Sequence, residues 1–170
     1  MRNIPCPTII DVEASGFGVD GYPIEVGVVK YNGERYCALI KPVDDWQHWC
    51  ENAEKIHGIS RELLANRGKH VHEVCAELND FLQETMAFSD AWIHDNPWLN
   101  RLFFAARMNR SFHVSPIEYI ASEEQLMLWD ATKKRLEVEL TIARHRASGD
   151  AYLIQQTYIE TRHLIKNGGK

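Results

Sequence analysis

The sequence predicts an α/β domain built on a mixed central sheet that begins with an antiparallel hairpin. Three observations predict it. The first forty residues are β-branched and apolar runs broken by turn residues. From His70 onward, helical periodicity alternates with short apolar runs. Acidic residues stand where several of those runs end. Alternating strands and helices imply parallel strands with helices packed on the sheet, and acids at strand ends belong at its ligand-binding edge.

Residues 7–13 read as the first strand, because Pro7-Thr8-Ile9-Ile10 is too short an apolar run for a helix and ends at Asp11-Val12-Glu13. Ser15-Gly16-Phe17-Gly18 and Asp20-Gly21 form a glycine-rich loop. Tyr22 to Tyr31 is the second strand and stops at Asn32-Gly33, a strong hairpin signal. Glu34 to Ile40 returns beside it. Lys41 to Ser60 reads as a loop carrying Trp46 and Trp49, which either form a partner contact or pack over a core edge. Ser60, Leu63 and Leu64 start a short helix. His70 to Thr85 is amphipathic, with Val71, Val74, Cys75, Leu78, Phe81 and Leu82 at helical spacing. Met86 to Ile93 is a short strand, Asn96 to Asn109 a helix, and Ile117 to Ile120 a last strand. Ser122-Glu123-Glu124-Gln125 is a capping box that opens a helix toward Leu136. The final helix runs from about Ser148 to Lys166 and stops at Asn167-Gly168.

A chain of 170 residues fits one domain, residues 1–170, with length enough for a proper core. Apolar content is 45%, charged content 25% and net charge -5, which argues against a broad basic surface that coats nucleic acid. That balance is compatible with an enzyme gripping a few nucleotides. Cys6, Cys37, Cys50 and Cys75 are scattered without a paired motif, so reduced thiols and a cytoplasmic location are expected. No stretch is long enough to span a bilayer, so no membrane partner is expected. His70 and His72 diverge on their helix and read as surface residues.

Asp11 and Glu13, two residues apart on a strand, share a face. Like charges held that close are relieved by a hard divalent cation, and Mg2+ and Mn2+ prefer carboxylate oxygens. Asp95 follows a predicted strand, and Asp150 sits in the first turn of the last helix, five positions after His145. Each of these two alone is an ordinary cap or dipole partner. Four acids at the ends of separate elements, with a histidine nearby, fit one pocket better than independent caps.

Three stretches carry a resemblance: Ile10-Asp11-Val12-Glu13-Ala14-Ser15-Gly16, Asp95-Asn96-Pro97-Trp98-Leu99 and His145-Arg146-Ala147-Ser148-Gly149-Asp150-Ala151. On these the chain resembles the DEDDh branch of the DnaQ-like 3'-5' exonucleases, whose fold is RNase H-like. The spacing of His145 and Asp150 is the specific part, and His57-Gly58-Ile59 looks like a turn of proofreading-type members. The chain departs from the family pattern in two places. Ala14 and Ser15 stand where the family usually has threonines. Asp90-Ala91 and His94 replace a usual His-Asn and Phe, which makes Asp90 a competitor of Asp95; Trp98-Leu99 sets the register in favour of Asp95.

The resemblance implies a two-metal site with Mg2+, or Mn2+, in which Asp11 bridges both ions, Glu13 and Asp150 hold one and Asp95 the other. It implies His145 as the general base, a role suited to imidazole near neutral pH. Ala14, Ser15, Gly16, Phe17, His57 and Ile59 would bind the terminal nucleotide, with Phe17 either stacking on a base or folded onto the core. Arg101, Arg144 and Arg146 are candidate phosphate contacts, with an ordinary solvated charge the safer reading for each, while Lys133-Lys134-Arg135 reads as a solvated face. The implied activity removes nucleoside 5'-monophosphates from single-stranded 3' ends, DNA slightly ahead of RNA. RNA trimming and a non-catalytic binding module are the alternatives. A homodimer or a polymerase-type partner are both compatible with the resemblance.

Overall fold

A computed structural model of the chain describes residues 4–142 and 145–168. Its five strands are β1 (Thr8–Ala14), β2 (Pro23–Val29), β3 (Arg35–Leu39), β4 (Met86–Ser89) and β5 (His113–Pro116), arranged β3-β2-β1-β4-β5. β1 pairs antiparallel with β2, β2 antiparallel with β3, and β1 and β5 both run parallel to β4. The sheet is therefore mixed, with β1 at its centre. Among the described residues, six α-helices complete the fold: α1 (Glu51–His57), α2 (Arg61–Arg67), α3 (Val71–Leu82), α4 (Trp92–Ala105), α5 (Glu123–Glu139) and α6 (Ala147–Gly168).

Both faces of the sheet are covered, and strand alternation sorts the side chains between them. Ile10 and Val12 join Ile24, Val26 and Val28 against α3 and α4. Ile9 and Val29 face the other way, onto Trp129 of α5 and Ala151, Ile154 and Tyr158 of α6. Asp11 and Glu13 share the parity of Ile9, so they point to the α6 side. Gly27 lies opposite Asp11 in the register. A Cβ on Gly27 would stand 2.2 Å from the Ala147 carbonyl carbon and the Ser148 nitrogen, so the bare glycine lets the start of α6 rest against the sheet.

Four elements differ from the sequence expectation. β4 ends at Ser89, and α4 begins at Trp92 rather than Asn96, because the Ser89 hydroxyl accepts from Ala91 N–H at 3.0 Å and turns the chain early. Asp95 is consequently inside the first turn of α4 rather than before it, and Pro97 lies inside the helix, where it supplies no backbone donor. The last strand is His113–Pro116. The expected strand Ile117 to Ile120 is instead a short 3-10 turn (Ile117–Tyr119), which buries Ile117 and Ile120 on one side. The presumed loop before Ser60 contains α1, closed by Gly58 in the left-handed region at φ 67. Trp46 is buried and stacks on Tyr22 at 5.1 Å, which settles it as a core residue.

Candidate active site

A cavity of about 500 Å³ opens where β1 and β4 end. Asp11, Glu13, Ala14, Gly16, Phe17, His57, Asp95, His145 and Asp150 line it, together with Asp90, His94, Trp98 and Lys133. The chain thus brings all five expected catalytic and metal-binding residues together from three distant segments.

β1 supplies Asp11 and Glu13 from the strand face that α6 covers. Glu13, His145 and Asp150 place ligand atoms within 4.8 Å of one another. Asp95, only 2% exposed, is fixed by the Ser89 hydroxyl, which donates to its Oδ2 at 2.5 Å, and by a Val12 backbone hydrogen bond. β4 ends alongside the first half of β1, so the strand segment bearing Val12 is free to receive α4's aspartate.

These acids crowd one another. Burial raises the Asp11 carboxyl well above the usual carboxylate range, and Asp95, Glu13, Asp150 and Asp90 raise it further. Asp95 is pushed up to about 8, first by burial and then by Asp90 and Glu13, against the opposing Ser89 bond. Oxygen donors converging in this way, too close to ionise together, fit a hard divalent cation by the chemistry of the donor set.

The His145 segment is held by two anchors. His145 has a positive φ of 58, a conformation that persists in a non-glycine residue when its surroundings over-determine it. Its backbone N–H donates to Asp150 Oδ2 at 2.8 Å. Next to it, Arg146 donates through Nε and Nη2 to Glu25 at 3.1 and 2.6 Å, and Ala147 N–H donates to Glu25 Oε2 at 2.9 Å. Glu25 is 0% exposed and lies opposite Glu13 in the β1–β2 register. Sequence reasoning missed it. The signal was present, since Glu25 interrupts an otherwise apolar strand, and a buried carboxylate there requires a partner.

Several expectations need correction. Arg146 is committed to Glu25. Arg101 donates to the carbonyls of Val19 and Gly21 at 3.0 Å, so it pins the glycine-rich loop. Arg144 lies outside the described residues. Ser15 does not line the cavity: its hydroxyl accepts from Tyr22 N–H and bonds His48 Nδ1, both at 3.1 Å. Ile59 is fully buried in the main core and also lies off the cavity wall. Gly16, at φ 143, is required by packing, because a Cβ there would stand 2.6 Å from Cys50 Cβ. Lys133 is not on a solvated face; it turns inward and pairs with Asp90 at 2.5 Å, while Arg135 of the same run does bridge exposed Glu139 and half-buried Glu160.

His57 and Phe17 mark opposite characters of the wall. His57 Nδ1 accepts from Ile59 N–H at 3.0 Å, and burial lowers its pKa, so the ring is neutral with its proton on Nε2. That buried Nε2 has no hydrogen-bond partner among the described residues. Phe17 is 74% exposed. It meets His94 edge-on at 5.0 Å and Trp98 at 6.0 Å, and His94 stacks on Trp98 at 5.8 Å. Phe17 is therefore a rim aromatic, not a loop residue folded into the core.

The chain matches no protein-family model and no curated protein sequence. Among solved structures it is similar to an exonuclease I from Methylocaldum szegediense, with a TM-score of 0.67 and 16% identity over 95% of this chain and 41% of that one. It is similar to E. coli exonuclease I in complex with a dA16 oligonucleotide, with a TM-score of 0.66 and 14% identity over 92% of this chain and 41% of that one. It is also similar to exonuclease I in a complex described with SSB and an inhibitor, with a TM-score of 0.59 and 15% identity over 95% of this chain and 42% of that one. The chain thus spans about two-fifths of these proteins and shares their α/β, RNase H-like fold.

Proposed function

We propose that the protein is a metal-dependent 3'-5' exonuclease that removes nucleoside 5'-monophosphates from single-stranded ends, DNA ahead of RNA. The observation that carries this reading is the convergence of Asp11, Glu13, Asp95, Asp150 and His145 on one cavity. Asp11, Glu13, Asp95 and Asp150 would hold two Mg2+ or Mn2+ ions. Bound there, the cations would neutralise the phosphate and stabilise charge on the attacking and leaving oxygens.

The chain's own residues supply the rest. His145 takes the proton of the attacking water as general base, and the Glu25–Arg146 anchor and Asp150 hold its backbone in place. Phe17, with His94 and Trp98, offers aromatic faces to a base, a mode of binding that tolerates any sequence. His57 offers its Nε2–H to the terminal nucleotide. Oligonucleotide complexes of exonuclease I favour DNA as the strand. A homodimer or polymerase-type partner stays within the proposal. Among the described residues no helix is long and apolar enough to cross a membrane, and we place the work of the enzyme in the cytoplasm.

The test uses end-labelled DNA and RNA strands of one sequence, with Mg2+ or Mn2+ and an EDTA control. A ladder shortening from the 3' end, lost with EDTA and in Asp11→Ala and His145→Ala, supports the reading; the faster strand names the substrate. Folded, metal-loaded protein that cleaves neither strand contradicts it and favours a binding module.

A further inference from the structure

We propose that Lys133 is a substrate-binding residue: its ammonium receives a backbone phosphate of the single strand while Asp90 holds it at the cavity wall. This inference rests on the nuclease reading above and adds a contact to it.

Lys133 is the only lysine or arginine among the described residues that line the cavity. Its side chain is 25% exposed and that of Asp90 15%, so the pair is largely withdrawn from solvent yet borders the open space. A lysine ammonium has three donors. One goes to Asp90 Oδ2, and no other hydrogen bond to Nζ is made among the described residues. Two donors therefore remain for a ligand.

The charge balance requires such a group. Asp11, Glu13, Asp95 and Asp150 are matched in charge by two divalent cations. Asp90 is the fifth carboxylate among the described residues that line the cavity. Left alone, it would repel an incoming phosphate. Lys133 cancels it, and its remaining donors make that stretch of wall attractive to an anion. Among the described residues, Arg101 is bound to backbone carbonyls and Arg146 to Glu25.

Two roles must be separated: neutralising Asp90, and touching phosphate. The probe is a fluorescent oligodeoxythymidylate with phosphorothioate linkages at its 3' end, titrated onto Mg2+-loaded protein over a range of salt. Neutralising one phosphate on a single strand contributes about 0.7 to the slope of log affinity against log salt. Lys133→Met is expected to weaken binding several-fold and to reduce that slope by about 0.7, and Lys133→Arg to keep it. Asp90→Asn is expected to bind at least as tightly as wild type. The double variant Lys133→Met with Asp90→Asn is expected to stay weak. Recovery of wild-type binding and slope in the double variant overturns the proposal, because neutralising Asp90 would then be the whole role. An unchanged slope in folded Lys133→Met, with wild type still binding and cleaving, overturns the lysine assignment alone. No binding of the strand by wild type overturns both this proposal and the nuclease reading.

Discussion

The two walls of the cavity were built by different rules. On one wall, β1 and the start of α6 present Asp11, Glu13, His145 and Asp150. Strand alternation puts the first two on the face that α6 covers, and the bare Gly27 lets α6 reach them. On the other wall, the turn after β4 and the faces of α4 and α5 present Asp90, His94, Asp95, Trp98 and Lys133. Here no single periodicity sets the arrangement; a serine turn, an early helix start and a cross-element ion pair do. The first wall is a consequence of the sheet, and the second of side chains meeting one another. Substitutions on the first wall should therefore act on chemistry and stability together, and those on the second, the metal-holding Asp95 excepted, mainly on how a strand is held.

The largest effect is expected at the sheet wall. His145→Ala should lower kcat by about 10²–10⁴-fold, the usual range for a general base, with a smaller change in KM. Single-turnover cleavage of a labelled strand measures it. Loss of KM with kcat intact would move His145 to substrate binding.

The next effect concerns the anchor beneath His145. Arg146→Met leaves the buried Glu25 charge without its ion partner and should cost about 3–5 kcal/mol in urea unfolding. Glu25→Gln leaves an arginine that is 46% exposed and can be solvated, so it should cost less. Equal costs would mean that Glu25 is not the buried, dependent partner.

At the rim, where Phe17 of the β1–β2 loop meets His94 and Trp98 of the opposite wall, Phe17→Ala should weaken single-strand binding by about 1–3 kcal/mol, the value of one base-aromatic stack, with little change in stability. A smaller loss would return Phe17 to a purely structural role on the rim.

The joint between the walls is tested by pH. Asp95 is raised to about 8 in the folded protein against an ordinary value of 3.8. Between those values the metal-free folded state binds more protons than the unfolded state, so stability falls as pH rises. Melting without metal should therefore show Tm declining from about pH 4 toward pH 8, and Mg2+ should raise Tm more at pH 8 than at pH 5. A flat profile would separate Asp95 from the acid cluster. The smallest effect is expected from Ser15→Ala, which loses the bond to Tyr22 N–H and should cost about 1 kcal/mol with KM unchanged.

The same contrast explains what was legible in the sequence. The sheet wall could be read because its logic is local: Asp11 and Glu13 sit two apart on an apolar strand, and Asp150 sits at a helix start five positions after His145. The hairpin at Asn32-Gly33 and the capping box at Ser122 were legible for the same reason, and the structure carries both. The other wall was not. Asp95 reads as lying ahead of its helix because Met86 to Ile93 reads as one strand, whereas the Ser89 hydroxyl turns the chain and α4 starts at Trp92. Lys133 read as solvated because its partner, Asp90, is far away in sequence. Ser15 reads as a ligand contact, and Arg101 and Arg146 as solvated charges or candidate phosphate contacts, because sequence does not show which polar groups the fold itself consumes. Ile59 failed on burial, and α1 was overlooked because a seven-residue helix with two tryptophans ahead of it has little periodicity.

The most direct measurement compares 3'-end shortening of 5'-labelled single-stranded DNA by wild type, Asp95→Asn and Asp90→Asn with Mg2+, each checked for folding. The account predicts a ladder from wild type and from Asp90→Asn, and none from Asp95→Asn or in EDTA. A ladder that survives in Asp95→Asn and vanishes in Asp90→Asn, or no ladder from folded, metal-loaded wild type, would contradict it.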